Sequence, residues 1–164
     1  MKNSFLLLAS AILVSGCAVA YVEPADSASP TLLLENASKT HDLVNFATFD
    51  DGENCAAMTV KRITVNPSGD WAIEPGQSKK IRIKPEVFTL DASSGTLAPG
   101  TQHCKVLLTF TPKPNTAYVA SFMGERSGCT LAINRIDESG NRIRENVRRR
   151  FSVAGIANNG NACK

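Results

Sequence analysis

The chain has few of the residues on which catalysis and metal binding most often depend. Its 164 residues include two histidines and one tryptophan, and aromatic residues make up 6% of the chain. His41 and His103 belong to no H-E-x-x-H pair, and the chain has neither a G-x-S-x-G elbow nor a phosphate-binding glycine loop. We therefore expect a protein that is not an enzyme and that uses no cofactor.

The chain also has no membrane-spanning apolar run, no internal repeat and no helical period, and each absence argues against one class of protein. No apolar run approaches the roughly 20 residues of a membrane-spanning helix, no segment repeats at a fixed spacing, and none shows a sustained helical period. The formal net charge is +3, which is too small to indicate nucleic-acid binding by charge alone. These absences favour a small domain built from strands.

What the chain does have begins at its amino terminus. Lys2 precedes an apolar run over residues 5–14, and small residues then lead to a cysteine, a layout typical of secretory signals. The Val14-Ser15-Gly16-Cys17 quartet resembles the lipobox of bacterial lipoproteins. That resemblance implies a signal peptide over residues 1–16, cleavage before Cys17, and palmitate-type acyl chains on Cys17 that bind the protein to a membrane.

Two alternatives to this interpretation stay open. An ordinary signal peptide cut after Ala20 would make Tyr21 the first residue and would discard the cysteine. The residue after the cysteine is Ala18, and the absence of Asp there resembles lipoproteins sorted to the outer membrane, with retention at the inner membrane as the alternative. In both locations the domain is expected to face the periplasm.

The remainder is long enough for one domain. Cleavage before Cys17 leaves 148 of the 164 residues, which suffices for a proper core. It also removes one lysine and no acid, so the net charge of +3 falls by one. Residues 17–30 contain two prolines and no apolar period, so we predict a lipidated cysteine on a flexible tether. Residues 31–157 are predicted to form the domain, and residues 158–164 a C-terminal tail.

Short apolar stretches separated by turn residues run through this domain. Isoleucines alternate with basic residues over 80–84, as in a strand with one buried and one wet face, and Pro75-Gly76 before them predicts a type II turn. Residues 103–111, 117–123 and 129–136 are predicted to form a three-stranded meander. Seven to nine such strands predict an all-β, antiparallel, Ig-like β-sandwich that contains disulfides.

Four cysteines are left once Cys17 is assigned to lipid: Cys55, Cys104, Cys129 and Cys163. In an oxidising compartment they predict two disulfides, with free buried thiols as the alternative. Cys104 and Cys129 start the outer strands of the predicted meander, about 9.5 Å apart if all three strands share one sheet. Because a disulfide needs Cα atoms within about 7 Å, this pair requires the chain to cross between sheets. Otherwise Cys104 pairs with Cys55, and Cys129 with Cys163.

No metal site is predicted from these cysteines. His103 adjoins Cys104, and imidazole and thiolate are both metal ligands. Adjacent residues on a strand point to opposite faces, however, and an oxidised cysteine is not a ligand.

The best surface signal is a basic group near the end of the chain. Its members are Arg142, Arg144, Arg148, Arg149 and Arg150. Guanidinium groups bind the oxygens of phosphate or carboxylate in pairs, as found on lipopolysaccharide, anionic lipid or a protein. The alternative is a solvated edge strand, whose charges discourage edge-to-edge aggregation.

One segment of the predicted domain supports a resemblance to a class of protein. Residues 104–136, with the Phe110-Thr111-Pro112 turn, Tyr118 and the Cys129 strand, are similar to uncharacterised small bacterial lipoproteins, a resemblance that implies no particular activity. We expect a non-catalytic binding or assembly module of the cell envelope, with the membrane and an envelope protein or anionic envelope component as partners. An immunity or inhibitor lipoprotein that neutralises a toxin or hydrolase is the alternative, and a hydrolase of unrecognised type comes third.

Overall fold

The computed structural model describes residues 19–39, 43–49, 60–65, 70, 72–95, 104–125 and 128–150. Within these ranges the regular secondary structure is entirely β, and twelve strands form two sheets. Seven strands have five residues or more, matching the lower end of the expected count, and the other five have two or three residues. The prediction of an all-β sandwich is confirmed.

The larger sheet contains β1 (Val19–Ala20), β3 (Leu43–Phe49), β4 (Val60–Arg62), β5 (Ala72–Ile73), β7 (Phe88–Gly95), β8 (Cys104–Phe110) and β12 (Arg148–Arg150). Its order is β1-β4-β3-β7-β8-β12, with β5 paired to β3 beside this path. The smaller sheet contains β2 (Thr31–Asn36), β6 (Ser78–Arg82), β9 (Ala117–Glu125), β10 (Gly128–Ile136) and β11 (Arg142–Arg144). Its order is β11-β10-β9-β2-β6.

The strand pairing is mixed, so the expectation of a purely antiparallel sandwich is wrong. β2 runs parallel to β9, with Leu33 opposite Val119. β1 runs parallel to β4, with Val19 opposite Lys61. Both parallel pairs join segments that are far apart in the chain, so no tight turn dictates their direction, whereas the β9–β10 hairpin is antiparallel.

The core lies between the two sheets and follows the two-residue period of the strands. On β2, Leu32 and Leu34 are fully buried, whereas Leu33 and Glu35 point outward. Aromatic rings form a continuous edge-to-face series through the core. Tyr21, Phe88, Phe110 and Tyr118 follow one another with centroid separations of 6.5, 6.1 and 5.3 Å. The buried hydroxyl of Tyr118 accepts a hydrogen bond from the Lys113 N–H at 2.9 Å, so its polar end is satisfied.

A disulfide between Cys104 of β8 and Cys129 of β10 joins the two sheets, with the Cα atoms 5.9 Å apart. The predicted meander is therefore wrong in one respect. β8 belongs to the larger sheet, while β9 and β10 form a hairpin in the smaller one, and residues 111–116 carry the chain across. This crossing is the condition under which the pair could bond, and it excludes the alternative pairings of Cys104 with Cys55 and of Cys129 with Cys163. Cys55 and Cys163 themselves lie outside the described residues.

The turn before β6 forms as predicted. Gly76 has φ of +79°, a conformation that suits glycine, and the Gln77 N–H donates to the Glu74 carbonyl at 3.0 Å. On β6 and just beyond it, Ile81 and Ile83 are buried between exposed basic residues. The alternating pattern of this segment is confirmed.

Residues 19–30 differ from the flexible tether that their composition predicts. β1 pairs with β4, and the Tyr21 N–H donates to the Arg62 carbonyl at 2.8 Å. Further along, the Ala28 carbonyl accepts a hydrogen bond from the Asn115 N–H at 2.9 Å. Hydrogen bonds to distant strands and the partly buried Tyr21 ring thus hold a segment whose own sequence has no period. The signal segment and Cys17 lie outside the described residues.

Candidate functional site

The five arginines of the predicted basic group lie on two strands in two different sheets. Arg142 and Arg144 are on β11, the outer strand of the smaller sheet, and Arg148–Arg150 form β12, the outer strand of the larger sheet. Three residues connect these strands. Because the disulfide ties β8 to β10, the strands next to β12 and β11, both outer strands lie on the same side of the sandwich. We call this side, residues 142–150, the arginine edge.

Arg142 serves the structure of the smaller sheet. Its guanidinium donates two hydrogen bonds to the two carboxylate oxygens of Glu35, at 2.9 and 3.0 Å. Glu35 is on β2, so this contact extends across β10 and β9. The Ser121 hydroxyl of β9 donates to the same carboxylate at 2.8 Å. Such a two-point contact fixes the direction of the guanidinium as well as its position.

The Glu35 carboxyl responds to these neighbours. Partial burial alone raises its pKa, but hydrogen bonds from Arg142 and Ser121, together with the Arg142 charge, outweigh that effect and hold the pKa below its ordinary value of 4.5. The carboxylate is therefore ionised at neutral pH. Because the Arg142 guanidinium is bound to this carboxylate, we do not count Arg142 among the arginines that could bind a partner.

Arg150 is buried at the other end of the group, whereas Arg144, Arg148 and Arg149 are exposed. Ile143, between the two arginines of β11, is an exposed apolar residue with 41% of its surface accessible. The arginine edge therefore presents cationic side chains around an apolar one. Four of the five arginines are exposed, and one of these four, Arg142, is bound to Glu35.

The acidic residues of the region are engaged in local structure. Glu145 lies 4.0 Å from the Arg135 guanidinium, and its N–H donates to the Ile133 carbonyl at 2.9 Å. Asp137 accepts hydrogen bonds from the N–H groups of Asn141 and Ser139, at 2.7 and 2.9 Å, and these bonds, the one from Asn141 above all, hold its pKa below the ordinary value. Glu138 is exposed. The excess charge at the arginine edge is positive.

Within the described part of the chain, β11 has a neighbouring strand on one side only. There β11 pairs only with β10, and β12 pairs only with β8. A free strand side offers backbone N–H and C=O groups to another extended segment, while side-chain pockets and charges set the specificity.

The described residues include one strongly buried acid outside this edge. Asp91 of β7 lies 2.8 Å from the Lys105 ammonium of β8. Burial raises the pKa of the Asp91 carboxyl, and the lysine opposes that shift only in part. A catalytic carboxyl needs a reacting group beside it, whereas this one is held by a lysine on the neighbouring strand. We assign it a structural role.

The described ranges contain no group of three His, Cys, Asp or Glu side chains that could hold a metal ion. They also contain no helix of the length and apolarity needed to cross a membrane. His41 and His103 lie outside these ranges. Comparison of the chain with protein-family models, with curated proteins and with solved structures gave no match.

The contribution of the Arg142–Glu35 pair to stability should depend on pH. Arg142→Met should lower the free energy of unfolding by about 1 kcal/mol at pH 7, since a partly exposed ion pair with two hydrogen bonds lies near the top of the surface range. A carboxyl with a lowered folded-state pKa stabilises the protein above its unfolded-state pKa, and this contribution disappears as the pH falls through the folded-state value. The difference between variant and parent should therefore shrink below the ordinary value of 4.5.

Urea unfolding at pH 7 and at pH 3 measures this difference. Arg144→Met is the matched control, because Arg144 is exposed on the same strand and should change stability by only a few tenths of a kcal/mol at either pH. Equal losses in the two variants at neutral pH would mean that the contact with Glu35 contributes nothing.

Proposed function

We propose that the protein is a lipid-anchored lipoprotein of the bacterial envelope that binds an acidic protein partner through the arginine edge. The anchor part of the proposal is supported by residues 1–17, where an apolar run ends in a lipobox-like quartet. The sandwich is then a non-catalytic binding or assembly module. The expected location is the outer membrane, with the domain in the periplasm.

The observation that carries the binding proposal is the exposure of Arg144, Arg148 and Arg149 along two adjoining strand edges. Exposed like charges repel one another, so three of them on one small surface favour an anionic partner. Guanidinium groups are suited to carboxylates because their planar N–H groups bind both oxygens at once. A partner segment with acidic side chains would complement this charge.

Two features favour a protein over lipid as this partner. The free side of β11 offers backbone hydrogen bonds that only another peptide strand uses fully. In addition, β1 and β12 are at opposite ends of the larger sheet, five strand spacings or about 24 Å apart. Since Cys17 precedes β1 by two residues, the proposed anchor is at the end of this sheet far from the arginine edge, which therefore points away from the lipid.

Neutralising the three exposed arginines should weaken partner binding. We expect Arg144→Gln, Arg148→Gln and Arg149→Gln together to reduce affinity about tenfold, which corresponds to about 1.4 kcal/mol shared among three surface charges. The measurement is quantitative affinity capture from solubilised envelopes with the full-length protein. A control variant with Lys39→Gln, Lys80→Gln and Lys113→Gln removes the same charge from exposed sites elsewhere and should retain the partner.

A photo-crosslinking amino acid tests the position of the contact directly. Placed at Ile143, which is 41% exposed on β11, it should give a crosslinked adduct that the triple arginine variant loses. Placed at Met123, which is 43% exposed on β9 of the same sheet, it should give none. Adducts of equal yield from both positions, or capture that is unaffected by the arginine changes, would contradict a binding role for this edge.

A further inference from the structure

Exposed aliphatic residues concentrate at the end of the sandwich where the chain enters it. Within the described residues, six large hydrophobic side chains are exposed, and four of them are valines near β1: Val19, Val22, Val60 and Val87. The other two, Met123 and Ile143, are on the smaller sheet. Single exposed apolar residues are ordinary, but a cluster indicates a contact surface.

Two of these valines share one open pocket with basic residues, and the other two are on the adjoining strands β1 and β4. Val22, Val87, Lys61 and Lys84 line the same small open pocket. Val19 is the strand partner of Lys61, and Val60 precedes that lysine on β4. We call Val22, Val87, Lys61 and Lys84, together with Val19 and Val60 on the adjoining strands, the N-terminal patch. Around it, Arg82 is paired with Glu23 at 3.7 Å and Lys84 with Glu86 at 3.4 Å, and Lys61 and Arg62 are further cations on β4.

Contacts on both sides hold Val22 in place. The Tyr21 hydroxyl donates to the Arg82 carbonyl at 3.0 Å, and the Tyr21 ring lies edge-on to Phe88. Burial, assisted by Glu23 and Glu86, raises the pKa of Tyr21 to about 12, so its hydroxyl keeps the proton that it donates. On the other side, the Glu23 carboxylate accepts a hydrogen bond from the Arg82 N–H at 3.0 Å. Val22 is thus 79% exposed on a segment with defined contacts.

The short distance along the chain between Cys17 and the N-terminal patch indicates that a membrane would cover the patch. Cys17 precedes Val19 by two residues, and two residues extend at most about 7 Å. Acyl chains on Cys17 would therefore enter the membrane beside the patch, because the chain between them is too short to hold the sandwich away from the lipid. Aliphatic side chains beside lysines suit an anionic membrane, which is apolar below its headgroups and negatively charged at them.

We propose that the N-terminal patch rests on an anionic membrane surface, with Val22 and Val87 at headgroup depth and Lys61 and Lys84 beside lipid phosphates. The inference depends on the proposed lipid anchor and goes beyond it by fixing the orientation of the domain. The β1 end of the larger sheet faces the lipid, and the arginine edge faces the periplasm. Contact with lipid would also explain why these valines are exposed.

Tryptophan quenching in vesicles tests this orientation. The acylated full-length protein carries Val22→Trp or Val87→Trp and is reconstituted into vesicles of phosphatidylethanolamine and phosphatidylglycerol with brominated acyl chains, which quench tryptophan at close range. Both variants should lose several times more emission than Met123→Trp, whose position is exposed on the other sheet. The parent chain, with its own Trp71, gives the background.

Two double variants that remove the same charge test the lysines. In the Val22→Trp protein, Lys61→Gln with Lys84→Gln should reduce the quenching in anionic vesicles to the level found with phosphatidylcholine alone, while Lys80→Gln with Lys113→Gln should leave it unchanged. Equal quenching at positions 22, 87 and 123 in acylated protein overturns the inference and leaves the anchor proposal standing. A full-length protein that does not float with the vesicles overturns both.

Discussion

Phe122→Ala is expected to lower the free energy of unfolding by about 3 to 5 kcal/mol, which is a large part of the stability of a domain of this size. Phe122 is on β9, a central strand of the smaller sheet, and its side chain is 0% exposed. Removing the ring loses its transfer free energy and leaves a cavity that the two sheets close only in part. The disulfide between β8 and β10 limits that closure further, because it fixes the distance between the sheets beside β9.

The adjacent residue provides the control for this prediction. Met123 follows Phe122 on the same strand but points outward and is 43% exposed. Met123→Ala should change the free energy of unfolding by no more than about 0.5 kcal/mol. Guanidinium unfolding followed by circular dichroism measures both variants. Similar losses at positions 122 and 123 would contradict the strand register, since a slip of one residue exchanges the two faces.

Removing the inter-sheet disulfide is the second large effect. Cys104→Ala together with Cys129→Ala should lower the free energy of unfolding by about 3 kcal/mol, because the bridge closes a loop with a sequence separation of 25 residues and restricts the unfolded chain. The bridge also joins the two sheets at the side that carries the arginine edge. We therefore expect the double variant to weaken the alignment of β11 with β12 as well as overall stability.

Counting free thiols tests whether Cys104 and Cys129 are bonded to each other. Under denaturing, non-reducing conditions the double variant should have as many free thiols as the parent, because both missing sulfurs were bonded to each other. Cys104→Ala alone should release one additional thiol. A double variant with two fewer free thiols, or with unchanged stability, would contradict a structural bridge.

Local patterns were sufficient wherever one segment determines its own conformation. The alternation of isoleucine and basic residues over 80–84 predicts a half-buried strand, and Pro75-Gly76 predicts the turn before it. Both are found, because burial on one face and a positive φ are properties of the segment itself. The spacing of Cys104 and Cys129 also predicted that the two could bond only if the chain crossed between the sheets. The chain does cross, and the disulfide forms.

Long-range pairing explains what the sequence did not predict. The parallel alignment of β2 with β9 joins segments more than 80 residues apart, and no residue in either one encodes the direction of the other. The same holds for β1, whose two residues are ordered by β4. Arg142 looks like its neighbours in the sequence, yet Glu35, 107 residues away, commits it to the sheet. Val22 and Val87 are likewise far apart in the chain and line one pocket only in the folded protein.

Whether the sandwich begins immediately after an acylated cysteine can be read from the mass of the mature amino terminus. Intact protein extracted from bacterial envelopes would be analysed by mass spectrometry with peptide sequencing of its first residues. We predict a chain that starts at Cys17 and has the added mass of acyl chains on that residue. A mature protein that starts at an unmodified Tyr21 would contradict the account.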